Sequence, residues 1–256
     1  MKKTMINLRA RPIALILAGI ATFLAIQSIV LRTIQYRLGD TNSYWLYQYG
    51  ELANINREAN IPTWYSAALL LGLALLLLII TLSRRSHGQS WLGWAGLTAI
   101  FTYISMDEAS TIHEKLTPIL QEQLELTGYF YFGWVVVGLA AVLVVGLVYL
   151  PFVKRLPPRI RNLFILAAVL YVGGALVVES ISANLWFHND GTSLQFSAVG
   201  TLEEWMEMLG VITMIYAQLE YIRTEIGAVQ LNVVSTAAEA GVKAGTAAAP
   251  LVDPGD

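Results

Sequence analysis

Residues able to do chemistry gather in three short stretches of this sequence. The first is Ser105-Met106-Asp107-Glu108-Ala109-Ser110-Thr111-Ile112-His113-Glu114. On a continuous helix, Asp107 and Glu114 lie within about 20° of each other. His113 falls about 120° to one side of Asp107 and Glu108 about 100° to the other. Asp107, Ser110, His113 and Glu114 are therefore expected to share a face, with Glu108 off it. The second stretch holds Glu179, which follows a long apolar run and precedes Ser180, Ser182 and Asn184. Gly173, Gly174 and Ala175 stand before it, small residues that let helices approach closely. The third is Thr201-Leu202-Glu203-Glu204-Trp205-Met206-Glu207. Its glutamates span about 100° of a helix, and Gln218 extends that stripe.

Carboxylates and one imidazole drawn from facing helices suit Zn, Fe or Mn better than Mg or Ca. The candidate ligands are Asp107, His113, Glu114, Glu179, Glu204 and Glu207, which could alternatively supply a general acid–base pair. Di-metal helical bundles use Glu-x-x-His pairs. None occurs here, so one divalent metal, or two bound mainly by carboxylates, is the expectation. Plainer readings exist for several of these residues. Thr201-x-x-Glu204 matches a capping box, and acids in a first turn favour the helix dipole. That accounts well for Glu204, adequately for Glu203 and poorly for Glu207. Asp107 and Glu108 lie about 24 Å along a helix from Trp91 and would reach the headgroup region. Ser110 and Ser182 read as packing residues rather than nucleophiles.

The elements that must carry these residues are apolar. Of 256 residues 56% are hydrophobic and 13% charged, about half the charged share of a soluble domain. A spanning helix needs about 20 apolar residues, and six segments qualify: 12–31, 64–82, 91–106 with its polar continuation, 129–150, 162–186 and 200–221. The expected fold is an all-α integral membrane bundle of six transmembrane helices occupying residues 1–227. The first segment is too long for a signal peptide and no cleavage site follows it, so it is read as a retained helix. Twelve Lys and Arg fall on one side, and only Arg32, Arg37, Arg57 and Lys115 on the other. Basic residues favour the cytoplasm, so both termini are expected there. Thirteen of the 18 acids then lie at or near the outer side. Residues 33–61 form an outer loop whose Tyr44, Trp45, Tyr47 and Tyr49 suit a membrane interface. The tail 228–256, rich in Ala and Gly, is expected to be a disordered cytoplasmic segment.

Three motifs resemble an uncharacterised family of multipass bacterial membrane proteins. They are Asn60-Ile61-Pro62-Thr63-Trp64-Tyr65-Ser66, the Ser105–Glu114 stretch, and Leu202-Glu203-Glu204 with Glu207-Met208-Leu209-Gly210. The resemblance runs from about residue 50 to 220 and implies a bacterial inner membrane location. It carries no activity or substrate.

With no cysteine, disulfides, thiolate metal sites and cysteine nucleophiles are excluded. Three histidines are too few for histidine-rich centres. A net charge of −2 gives no case for nucleic acid. The lipid bilayer is the expected partner, and protein partners are unassigned. The leading functional expectation is a membrane metalloprotein acting on a lipid or other membrane-soluble substrate. The alternatives are a proton- or cation-coupled transporter and a structural or accessory subunit whose acids fix helix packing.

Overall fold

The computed structural model describes residues 9–38, 44–189, 191 and 193–227; among them there are helices and turns and no strand. The tail expected to be disordered lies outside the described residues. In chain order come α1 (Ala10–Leu38), α2 (Tyr44–Ala53), α3 (Ile61–Ser86), α4 (Leu92–Ser110), α5 (Leu116–Leu124), α6 (Trp134–Lys154), α7 (Pro158–Val172), α8 (Glu179–Asn189) and α9 (Leu194–Tyr221). The wider π-helical turns of Gly173–Val178 join α7 to α8, so that residues 158–189 make one long helix.

Four elements are long and apolar enough to cross a membrane: α1, α3, α6 and the α7–α8 helix. Their outer faces are bare. On α6, Leu143 is 63% exposed, Leu147 64% and Val148 67%, side chains suited to lipid rather than water. The helices expected as third and sixth spans are α4 and α9, and the acids they carry set them apart from those four. Both nevertheless lie within the bundle. α4 packs along α3, while α9 packs along α7, α1 and α3. The apolar stripe Leu69, Leu70, Leu73, Leu77 and Ile80 of α3 repeats at three- and four-residue intervals, as one buried helix face requires. It meets Met208, Val211, Ile212 and Ile215 of α9 in the core. At Gly210 a side chain would have to fit 2.7 Å from the Tyr171 backbone nitrogen, so α9 lies directly on the α7 backbone.

Local signals set the helix ends. Asn60 caps α3: its Oδ1 accepts from the Thr63 N–H at 3.1 Å, and Pro62 stands in the first turn, where its missing N–H costs nothing. The Asn60 amide also donates to the carbonyls of Asn54 (2.6 Å) and Arg57 (2.8 Å). Thr63 Oγ1 donates to the Arg57 carbonyl at 3.1 Å. The Ile55 N–H bonds Ser28 Oγ on α1 at 3.0 Å, and Asn56 Nδ2 bonds the Ser197 carbonyl on α9 at 3.0 Å. Residues 54–60 thus form a strap tied to three helices.

Several sequence expectations are corrected. The stretch 33–61 is not a loop throughout, because α1 runs on to Leu38 and Tyr44–Ala53 is helical. α4 stops at Ser110, where Thr111 takes a left-handed conformation (φ 52°), so helical spacing does not apply to His113 and Glu114. α9 starts at Leu194, with Ser193 Oγ accepting from the Phe196 N–H at 3.1 Å. Thr201 therefore sits inside the helix, its hydroxyl bonded to the Ser197 carbonyl at 2.7 Å, and no capping box forms.

The two ends of the bundle differ in charge. At one end Arg84 donates to the Tyr221 hydroxyl at 2.5 Å, and Glu220 pairs with Arg159 (3.1 Å) and Arg223 (3.0 Å). The acids gather at the other end. Replacing the strap's anchor, Asn60→Ala, removes an N-cap worth about 1 kcal/mol together with two loop bonds. The expected result is a lower unfolding temperature in detergent and new protease cleavage within residues 54–60. Unchanged values of both would show that the strap is not held this way.

Candidate functional site

A cavity of about 1680 Å³ opens among α4, α6, α7, α8 and α9, and residues of α1, α2 and the strap also line it. All six expected ligands, Asp107, His113, Glu114, Glu179, Glu204 and Glu207, line it. So do Glu58, Glu108 and Glu203, three acids outside the expected ligand set, together with Glu51 of α2.

The end of α4 builds the first part of the site. After the left-handed Thr111 the chain turns back. The His113 N–H then donates to Asp107 Oδ1 at 2.9 Å, and His113 Nδ1 lies 2.8 Å from Asp107 Oδ2. One carboxylate caps the turn and fixes the ring with its two oxygens. Asp107 and His113 do come together, but through a helix break rather than the expected shared helix face. The imidazole packs edge-on against Trp134 (centroids 4.7 Å apart), and Trp134 Nε1 donates to Glu179 Oε1 at 3.1 Å. Burial alone would lower the pKa of His113. The Asp107 hydrogen bond and charge, helped by Glu114 and Glu179, outweigh it and hold the imidazolium above its ordinary value.

The second part comes from α8 and α9. The π-helical turns before Glu179 bring Gly174 against α9, where a Cβ would stand 2.9 Å from the Glu203 carbonyl oxygen. Only a glycine permits that approach, and π turns commonly occur at functional sites. Glu203 is 8% exposed and accepts from Ser182 Oγ at 2.9 Å. Its carboxyl is also within hydrogen-bond reach of Glu179. Ser182 is thus occupied as a donor. Tyr171 on α7 reaches Glu207.

The third part comes from the strap and α3, where the Thr63 hydroxyl lies within reach of Glu58 and that of Ser66 within reach of Glu108. The Asn60–Ser66 motif therefore starts a helix and sets two hydroxyls near two acids, while Glu58 Oε2 has no hydrogen-bond partner among the described residues. Burial pushes the Glu58 carboxyl up to about 7, and the charges of Glu108 and Glu114 push the same way.

Sequence reasoning misplaced these three acids for definable reasons. A helical wheel assumes a single buried face and sets Glu108 off it, whereas Asp107 and Glu108, about 100° apart on α4, both line the cavity. Glu203 was assigned to a first turn that lies seven residues or more upstream. Glu58 carried one usable signal, the Asn60 and Thr63 pair that ties its loop down. Among the described residues, no group of three or more His, Asp or Glu side chains is arranged to hold a metal ion as it stands.

Residues 13–220 match the family described as Domain of unknown function (DUF8692). The chain belongs to this family. The matched region contains the strap, the π-helical turns and every acid of the cavity. No curated protein and no solved structure matches the chain.

Glu58 gives the site a pH signature. With its pKa raised from 4.5 to about 7, the folded chain keeps a proton that the unfolded chain releases in that window. Stability therefore falls as pH rises from about 4.5 to about 7. His113, raised from 6.5, acts in the same direction: its stabilising charged form is present below about 6.5 and lost as pH rises through its folded value. The unfolding temperature in detergent is expected to drop between about pH 5 and about pH 8. The drop should be smaller in Glu58→Gln. An equal drop in the variant would remove Glu58 from this account.

Proposed function

We propose that this chain is a six-span protein of the bacterial inner membrane, with both termini in the cytoplasm and a metal centre in its outer leaflet. The centre serves an enzyme acting on a lipid or other membrane-soluble substrate. The orientation is supported by Arg84, Arg85, Arg159 and Arg223 at one end of the bundle and the acids at the other, since basic residues favour the cytoplasm.

One observation carries the metal reading. Asp107 binds His113 through Nδ1, which leaves Nε2 without a hydrogen-bond partner among the described residues, in a cavity that Glu179, Glu204 and Glu207 also line. A carboxylate on the far nitrogen of a ligating histidine is the usual outer-shell support of a metal site. Asp107 then acts through His113, while His113, Glu114, Glu179, Glu204 and Glu207 are the ligand set, swinging inward on their flexible side chains. Mixed carboxylate and imidazole donors suit Zn, Fe or Mn. Such an ion would polarise a substrate oxygen or activate water. Trp134 packs on His113 and donates to Glu179, so it holds both in place.

Elemental analysis of detergent-purified protein tests this reading. A stoichiometric divalent metal is expected. It should be lost in His113→Ala and in the Glu204→Ala, Glu207→Ala pair. Asp107→Asn should weaken metal affinity by about 10–100-fold. Absence of metal, or metal retained in all of these variants, would overturn the reading.

One feature favours a proton or cation relay instead. Gln218 is fully buried, and its amide atoms have no hydrogen-bond partner among the described residues. Eleven residues past Glu207 it returns to within about 20° of the same face of α9. A relay predicts pH-driven flux in proteoliposomes that Gln218→Leu abolishes. No flux above empty vesicles would dispose of it.

A further inference from the structure

The cavity is far larger than a metal centre needs. From the acids it continues as an apolar slot between α4 and α6, walled by Ile100 and Ile104 on one side and Ala141 and Val145 on the other. The slot is closed at both ends. At the acidic end Trp134 of α6 rests on His113. At the basic end the Tyr149 hydroxyl donates to the Gly93 carbonyl at 3.2 Å, and Phe152 packs edge-on against Trp94 (centroids 5.0 Å apart). Gly93 and Gly96 make that closure possible, because any Cβ there would collide with Phe152 and Tyr149. Between these two closures α6 is not packed on α4. Its main contacts are with α5, α7 and the π-helical turns. The result is a lateral window facing the surroundings of the bundle.

Two properties of the window define its occupant. From Gly96 to Asp107 is eleven residues, about 16 Å of helix, close to one leaflet's share of a hydrocarbon core about 30 Å thick. The acidic end is lined by nine carboxylates, including Glu51, against Arg32, Arg57 and His113, and Arg57 is already paired with Glu51 at 3.4 Å.

We propose that this slot binds a bilayer lipid that enters sideways between α4 and α6, with a single long hydrocarbon chain in the slot and a cationic, amine-bearing head at the acids. The inference rests on the reading of the cavity as a substrate site and does not require the metal. An anionic phosphate head would meet like charge, and a chain without a polar head would leave the carboxylates facing hydrocarbon. The amine head instead supplies the positive charge that the lining lacks, and the chain replaces water or void against apolar walls.

Photolabelling of the full chain in nanodiscs tests this proposal, with a diazirine-bearing octadecylamine as the probe and an equally labelled octadecyl phosphate as the control. The expected result is saturable labelling of peptides from α4 and α6 that unlabelled octadecylamine displaces. Labelling should be lost in Ala141→Trp and in Val145→Trp, each of which fills the slot, and the phosphate probe should label weakly. Either variant counts only if its helical content and elution match the parent. If both misfold, displacement by octadecylamine and the phosphate comparison decide. Non-saturable labelling, equal labelling by the phosphate probe, or labelling undiminished in a folded variant would overturn the proposal. Metal content is read on the same samples. Metal-free protein that labels as described keeps the slot and loses the metal reading, while metal-loaded protein that does not label does the reverse.

Discussion

The constraint on which this structure turns is the crowding of carboxylates from several helices into one poorly solvated cavity. A charge at the centre of a membrane helix costs about 2.5–3.5 kcal/mol on insertion scales, and like charges add to that cost. The surrounding architecture answers this crowding group by group. Asp107 is tied to His113 by two bonds, Glu203 to Ser182, and Glu179 to the Trp134 indole. Glu58, Glu108 and Glu207 each have a hydroxyl from Thr63, Ser66 or Tyr171 within reach. None of these partners is a lysine or arginine. Apart from the His113 imidazolium held by Asp107, these partners bring no positive charge to the acids, a state that suits a site awaiting a cationic ligand.

The scaffold divides into a packed half and an open half. α1, α3, α7 and α9 share the core, with α9 pressed onto α7 at Gly210 and onto the π-helical turns at Gly174. α6 stands apart, held at its two ends by aromatic contacts. The rigid half fixes the depth and direction of the acids, and the looser half leaves space beside them. Precise polar groups at the end of a mostly apolar cavity is the general form of a small-molecule site.

Much of this was legible in the sequence. Hydrophobic runs marked the long helices, and residue types singled out most of the acids and the histidine that line the cavity. What the sequence hid was where helices begin and end. Carrying the α4 helix past Ser110 gave His113 and Glu114 a helical spacing that the turn at Thr111 breaks. Starting α9 near Gly200 rather than Leu194 turned Glu203 and Glu204 into first-turn acids with a ready local explanation. Both errors arise because helix ends depend on capping groups, here Thr111 and Ser193, and not on hydrophobic periodicity. Glu58 was hidden for another reason. Its loop is tied by local bonds from Asn60 and Thr63 but placed by bonds of Ile55 and Asn56 to Ser28 and Ser197 on other helices, which no local pattern reveals.

The absence of cysteine allows the central claim, that acids from separate helices face one shared cavity, to be measured directly. Cysteine pairs placed at positions 108 and 204, and at 179 and 203, should be bridged by a short bifunctional thiol reagent in membranes. A control pair at 108 and the lipid-facing position 147 should not. Failure of both test pairs to bridge, with each single cysteine reactive, would show that the acids point apart and that the cavity does not unite them.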